Sequence, residues 1–123
     1  MPYLLPFSDI GINDVAQVGG KNASLGEMYT KLASAGVKVP NGYATTSDAY
    51  RYFIEYNNLF DRMDAVLKKM DVNDIGSLAV TGKQIRSWIM HAELPDDFSD
   101  EIIQAYNELE KEYGEYPLSL IHI

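Results

Sequence analysis

The sequence contains no cysteine, only one tryptophan and two histidines, and no apolar run long enough to span a membrane. Without cysteine, disulfides and cysteine-based zinc sites are excluded, and the composition fits a reducing cytosol. The first residues carry no basic cluster and are interrupted by Pro2 and Pro6, which is unlike a signal peptide or a membrane anchor. We therefore expect a cytoplasmic protein with no membrane partner.

Basic residues are few, with 10 Lys and Arg against 18 Asp and Glu, so the formal net charge is -8. This charge argues against binding to nucleic acid phosphates or to anionic membranes. It does not exclude a nucleotide, because a phosphate site needs only a local cation and oriented amides. At 123 residues and 46% hydrophobic content, the chain suits one small globular domain or a part of a larger one.

Hydrophobic periodicity predicts a mostly helical α+β fold with little sheet. A helix follows the loop at residues 18–21, and Gly36 is placed as its left-handed stop. Ser47 with Asp48 indicates the start of a second helix, and Ser99 is expected to cap the last one. Short strands are expected at residues 3–5, 37–39 and 43–46. So small a sheet is not expected to stand alone, which indicates part of a larger domain.

The only segment whose sequence clearly indicates a binding site is the loop formed by Gly19, Gly20 and Lys21. Paired glycines allow the backbone to approach a ligand closely, and the following helix N-terminus favours anions. The lysine adds a mobile positive charge that can follow a phosphate. Asn22 or Ser24 could satisfy free amides of the first helical turn.

By itself, the sequence of this loop is weak evidence for a nucleotide-binding site. It is not a P-loop, because Val15 stands where the first glycine should be and Asn22 where the hydroxyl residue should be. It is not a dinucleotide fingerprint either. The local sequence favours a tight turn into a helix with a solvated lysine.

Two longer stretches resemble a known family. Residues 18–28 read VGGKNASLGEM, and residues 36–50 read GVKVPNGYATTSDAY. Both are similar, in order and spacing, to segments near the start of the phosphoenolpyruvate synthase (pyruvate, water dikinase) family. The resemblance covers roughly residues 3 to 115.

The resemblance implies the N-terminal subdomain of an ATP-grasp nucleotide-binding domain. It implies that Gly19, Gly20 and Lys21 contact ATP phosphates. Complete enzymes of this family convert ATP, pyruvate and water to AMP, phosphoenolpyruvate and phosphate, with Mg²⁺. Its partners would be ATP and the remainder of the ATP-grasp domain, with pyruvate only in the complete enzyme.

The resemblance ends near residue 115, where the family continues into a strand that carries a second phosphate-binding arginine. We therefore expect an incomplete ATP-binding domain over residues 1–115, and an unmatched tail over 116–123 that arises from truncation or a frameshift. The 123-residue chain is expected to be inactive alone, with no catalytic residue and no metal ligand.

The histidines and carboxylates have simpler explanations than catalysis or metal binding. Neither His91 nor His122 has the sequence context of the family's catalytic histidine. The acidic residues near the last helix are best explained as a solvated face. They are Asp96, Asp97, Asp100, Glu101, Glu108, Glu110 and Glu112.

Two other functions stay open at the level of sequence. One is a sister phosphotransferase, such as rifampicin phosphotransferase or pyruvate, phosphate dikinase, because these enzymes share the opening motifs. The other is a non-enzymatic helical module whose exposed apolar surface binds a protein partner.

Overall fold

The structure is a computed structural model that describes residues 3–114, and it contains two compact units. The first unit lies within Met1–Ala49 and Asp96–Ile123, and the second is Tyr50–Pro95. The predicted α+β fold, mostly helical with a small sheet, is confirmed. In chain order the strands and α-helices are β1 Leu4–Pro6, α1 Val15–Ser34, β2 Tyr43–Thr45, α2 Ser47–Tyr56, α3 Leu59–Lys69, α4 Ile75–His91 and α5 Asp96–Tyr113. Single 3₁₀ turns at Phe7–Asp9 and Ile12–Asp14 join β1 to α1.

The sheet of the first unit is a two-stranded antiparallel ladder of β1 and β2, in which Leu5 lies opposite Ala44. Strand β1 ends at Pro6, as expected for a residue that has no backbone N–H to donate to a neighbouring strand. Below the sheet, the buried Ile10, Val18 and Ala23 pack together with Ala44. This cluster connects the sheet to the beginning of α1.

Helix α1 ends as its sequence predicts. Gly36 adopts a φ of +83°, and the amides of Gly36 and Val37 donate to the carbonyls of Ala33 and Leu32. This pattern is a Schellman motif, which satisfies the last helical carbonyls. The same motif explains why the strand predicted at 37–39 is wrong. The Val37 amide is used by the motif, and residues 37–42 join no ladder within the described part of the chain.

One of the two predicted helix starts is confirmed and the other is wrong. Helix α2 begins at Ser47, as predicted, and the Thr46 hydroxyl caps it by accepting the Ala49 amide at 3.2 Å. Helix α5 begins at Asp96, and the predicted cap Ser99 therefore lies inside the helix. The buried Pro95 precedes this start, and Asp96 with Asp97 places negative charge in the first turn, where the helix dipole favours it.

Helix α5 is tied to the sheet by carboxylates that the sequence analysis assigned to a solvated face. The Glu101 carboxylate accepts the backbone amides of Tyr3 and Leu4, both at 3.0 Å. The Tyr43 hydroxyl donates to Glu108 at 2.6 Å. That hydrogen bond is the main cause that raises the pKa of Tyr43 to about 12. These two acidic residues therefore connect α5 to both strands of the sheet.

The second unit has its own core, in which Phe53, Ile54 and Leu59 are buried. Partly buried side chains of α3 and α4 pack against them, including Met63, Trp88 and Ile89. The chain between α2 and α3 turns through Asn58, a non-glycine residue with a φ of +53°. Asparagine tolerates this left-handed conformation better than most residues do. Among residues 3–114, none of the helices is both long and apolar enough to cross a bilayer.

Candidate phosphate-binding loop

The predicted loop is a kink within a longer helix rather than a turn before one. Helical geometry already begins at Val15, and it is interrupted at Gly19, where φ is 81° and ψ is 163°. This combination of angles is accessible essentially to glycine alone. The chain then resumes helical geometry at Gly20. The sequence prediction located the break correctly but missed the helical turn that precedes it.

The two ends of the break are anchored while its middle is exposed. Val18 is 3% exposed and Ala23 is fully buried, and both belong to the core beneath the sheet. Gly19, Gly20 and Lys21 between them are exposed. A Cβ atom added at Gly19 or Gly20 would meet no heavy atom within 4 Å. The loop therefore leaves room for a ligand against the backbone.

Asn22 closes the loop from inside. Its side-chain Nδ2 donates to the carbonyl of Val18 at 2.9 Å, which bridges the kink. The prediction that Asn22 or Ser24 accepts first-turn amides is wrong, because neither side chain accepts a backbone amide in the described part of the chain. The contact between Asn22 and Val18 links the residues on the two sides of Gly19.

One helical turn after Asn22, α1 packs against residues 10–12, which precede the helix. A Cβ atom at Gly26 would lie 2.4 Å from the Ile10 carbonyl oxygen, so only glycine permits this approach. The Glu27 carboxylate accepts the Ile12 amide at 3.0 Å and pairs with Lys31 at 2.6 Å. These contacts lower the pKa of Glu27, with the hydrogen bond to Lys31 as the largest cause. They fix the position of the helix that carries the loop.

A shallow depression of about 410 Å³ opens at this point, lined by Gly20, Lys21, Ser24 and Leu25. Ser24 and Leu25 follow Gly20 and Lys21 at separations of three to five residues, so the four share one face of the restarted helix. Lys21 forms no ion pair with any carboxylate among residues 3–114, although the chain has a net charge of -8. The side chain is therefore available to a ligand anion. Periodicity alone did not single out Ser24 and Leu25 as lining residues, but their spacing from Gly20 and Lys21 could have done so.

The other candidate groups lie elsewhere. His91 is exposed in the last turn of α4, with Nδ1 2.8 Å from the Ser87 carbonyl. His122 and the tail 116–123 lie outside the described residues. Between residues 3 and 114, no three His, Asp or Glu side chains come together as a potential metal site.

The family model of the pyruvate phosphate dikinase AMP/ATP-binding domain matches residues 15–121 of this chain. The chain belongs to this family. The match begins at the first residue of α1 and includes the whole kinked loop, so the geometry described above lies within a nucleotide-binding domain. The resemblance inferred from residues 18–28 and 36–50 is confirmed.

Relatives from three bacteria are each named phosphoenolpyruvate synthase. The protein from Pseudomonas aeruginosa is 52% identical over 107 residues, which is 87% of this chain and 14% of that protein. The Neisseria meningitidis protein is 44% identical over 118 residues, covering 96% of this chain and 15% of the relative. The Escherichia coli protein is 44% identical over 108 residues, which is 88% of this chain and 14% of that protein. The chain thus spans about 14% of the length of these relatives.

Proposed function

We propose that this chain supplies the ATP phosphate-binding loop of a phosphoenolpyruvate synthase, through Gly19, Gly20 and Lys21. The proposed overall reaction converts ATP, pyruvate and water to AMP, phosphoenolpyruvate and phosphate. The observation that carries the proposal is an exposed, glycine-dependent kink with an unpaired lysine, inside a region that matches an AMP/ATP-binding domain. The names of the relatives favour phosphoenolpyruvate synthase over its sister phosphotransferases.

The role of each residue follows from the loop geometry. The strained backbone at Gly19 ends one helical segment and starts another, and the first amides of a new helix lack intrahelical partners. Such amides, with the helix dipole behind them, bind anions. Gly20 leaves the backbone uncovered, and Lys21 places an ammonium group beside the same depression. This set of groups stabilises negative charge on the phosphates.

Catalysis in phosphoryl transfer depends mainly on positioning and charge stabilisation, which this loop can contribute. Mg²⁺ bound to ATP would neutralise part of the phosphate charge. The described residues contain no cluster of carboxylates that could hold the ion, so no metal ligand is assigned to this chain. We also propose that the pyruvate-dependent chemistry requires the rest of a longer enzyme and that the chain alone is inactive.

Equilibrium binding of MgATP to the purified chain, measured by titration calorimetry, tests this proposal. Lys21→Gln removes the proposed phosphate contact, and Lys38→Gln is the matched control, because Lys38 is also an exposed lysine of the first unit. A charge-assisted hydrogen bond contributes about 1.5–3 kcal/mol, so Lys21→Gln should weaken binding by roughly tenfold or more. Equal affinities of the two variants would contradict the assigned role of Lys21. Pyruvate-dependent release of AMP by the chain would contradict its inactivity.

A further inference from the structure

A second depression, of about 490 Å³, lies in the second unit, which contains none of the phosphate-loop residues. Helices α3 and α4 provide most of its wall. Its lining combines a cation, an imidazole, a hydroxyl, a carboxamide and an indole with two apolar side chains. The lining residues are Asn57, Leu59, Arg62, Ser87, Trp88, His91 and Ala92.

Arg62 gives this depression its positive charge. Its guanidinium carbon lies 4.4 Å from the centre of the Trp88 ring, which is a cation–π arrangement. Arg62 pairs with no carboxylate among residues 3–114, in a chain whose net charge is -8. The indole accepts no N–H hydrogen bond in its plane from a guanidinium held over its ring, so the N–H groups of Arg62 can still bind the oxygens of a carboxylate or phosphate.

Two further polar groups face no competing partner. The Nδ1 atom of His91 is held by the Ser87 carbonyl, which fixes the ring and leaves Nε2 for another contact. No hydrogen bond in the described part of the chain involves the Ser87 hydroxyl, which can therefore donate to a ligand.

Asn57, by contrast, is a structural wall of the depression. Its Nδ2 donates to the carbonyls of Phe53 and Glu93, and its Oδ1 accepts the Glu93 amide. Leu59 and Ala92 belong to the core cluster of the second unit. The depression thus has an apolar base that belongs to the core, with Arg62, Ser87 and His91 as its free polar groups.

From this arrangement we propose that the depression binds a small oxyanion, meaning a phosphate or carboxylate group, with Arg62 as its main contact and Trp88 as the platform that orients Arg62. The site does not depend on the proposed function of Gly19, Gly20 and Lys21. It differs from that loop in its chemistry, because it uses side chains of two helices instead of backbone amides.

Trp88 is the only tryptophan in the chain, so its fluorescence reports directly on this site. The purified chain is titrated with inorganic phosphate and, separately, with acetate, at constant ionic strength maintained with sodium chloride. We expect a saturable change in fluorescence with at least one of the two anions. Saturation by phosphate alone assigns a phosphate-bearing ligand, and saturation by acetate assigns a carboxylate.

Arg62→Gln and Arg86→Gln form a matched pair, because each removes one exposed arginine of the second unit and Arg86 does not line the depression. Arg62→Gln should weaken binding at least about tenfold, and Arg86→Gln by less than about twofold. Since Arg62→Gln itself alters the surroundings of Trp88, amide NMR shifts of residues 87–92 provide a second readout of affinity.

The proposal is overturned if neither anion gives a saturable response, or if the two arginine variants lose equal affinity. It is also overturned if Lys21→Gln removes the response, because the anion would then be bound at the loop of the first unit. Retention of the response in Lys21→Gln supports a separate site, whatever the outcome of the MgATP titration.

Discussion

Gly19 and Gly20 are adjacent and both exposed, yet alanine should destabilise the protein only at Gly19. Neither added Cβ atom would meet a heavy atom within 4 Å, so steric overlap cannot distinguish them. The backbone conformation distinguishes the two glycines, because Gly19 has a φ of 81° with a ψ of 163° and Gly20 has no positive φ. Backbone conformations of the Gly19 kind cost an L-residue about 1–3 kcal/mol. Gly20→Ala should be neutral or should stabilise by up to about 1 kcal/mol, through lower entropy of the unfolded chain.

Urea unfolding followed by circular dichroism measures this difference. With a denaturant dependence of about 1–3 kcal/mol per molar urea, the midpoint of Gly19→Ala should fall by roughly 1 M relative to Gly20→Ala. Binding is the poorer readout for this pair, because Gly20 itself lines the depression proposed for the ligand. Equal midpoints for the two variants would refute the argument that the kink requires glycine.

Three further predictions concern the supports of the loop and the sheet. Gly26→Ala should destabilise the protein, because the added Cβ would lie 2.4 Å from a backbone carbonyl oxygen. The overlap costs about 1–3 kcal/mol, and the better helix propensity of alanine returns roughly 1 kcal/mol of it. A variant that is more stable in urea unfolding would contradict the close packing. Asn22→Ala removes the hydrogen bond to Val18 and should lower the free energy of unfolding by about 0.5–1.5 kcal/mol. It should also bind MgATP more weakly. Unchanged stability and affinity would show that the loop conformation does not depend on this hydrogen bond. For Tyr43, whose folded pKa is raised to about 12 by Glu108, stability should be lost as pH rises from about 10 through 12, because the unfolded side chain ionises first. Tyr43→Phe should show a smaller loss over that range in urea titrations, and identical pH profiles would exclude this linkage.

The features that local sequence predicted correctly are those with a local physical cause. Gly36 stops α1 because only the residue itself and its neighbours form the Schellman motif. The position of the break at Gly19 was likewise evident from paired glycines. The strand predicted at 37–39 failed because alternation does not supply a partner strand, and the last helix began early because Pro95 and two aspartates outweighed the serine cap.

Contacts between distant segments could not be predicted in this way. The sequence gives no sign that Glu101 accepts the amides of Tyr3 and Leu4, or that the Ile10 carbonyl lies against Gly26. The family resemblance identified residues 18–28 as important but not why. The structure supplies physical reasons for several of them, since Val18 and Ala23 anchor the loop and the glycines permit the kink and the close approach.

The most direct test of the proposed ATP phosphate site is an amide NMR map of the purified chain with increasing MgATP, compared with the same map for Lys21→Gln. The account predicts that the largest shifts fall on residues 19–24 and that they are lost or strongly reduced in the variant. Shifts centred on other residues, or shifts at 19–24 that are the same in Lys21→Gln, would contradict it.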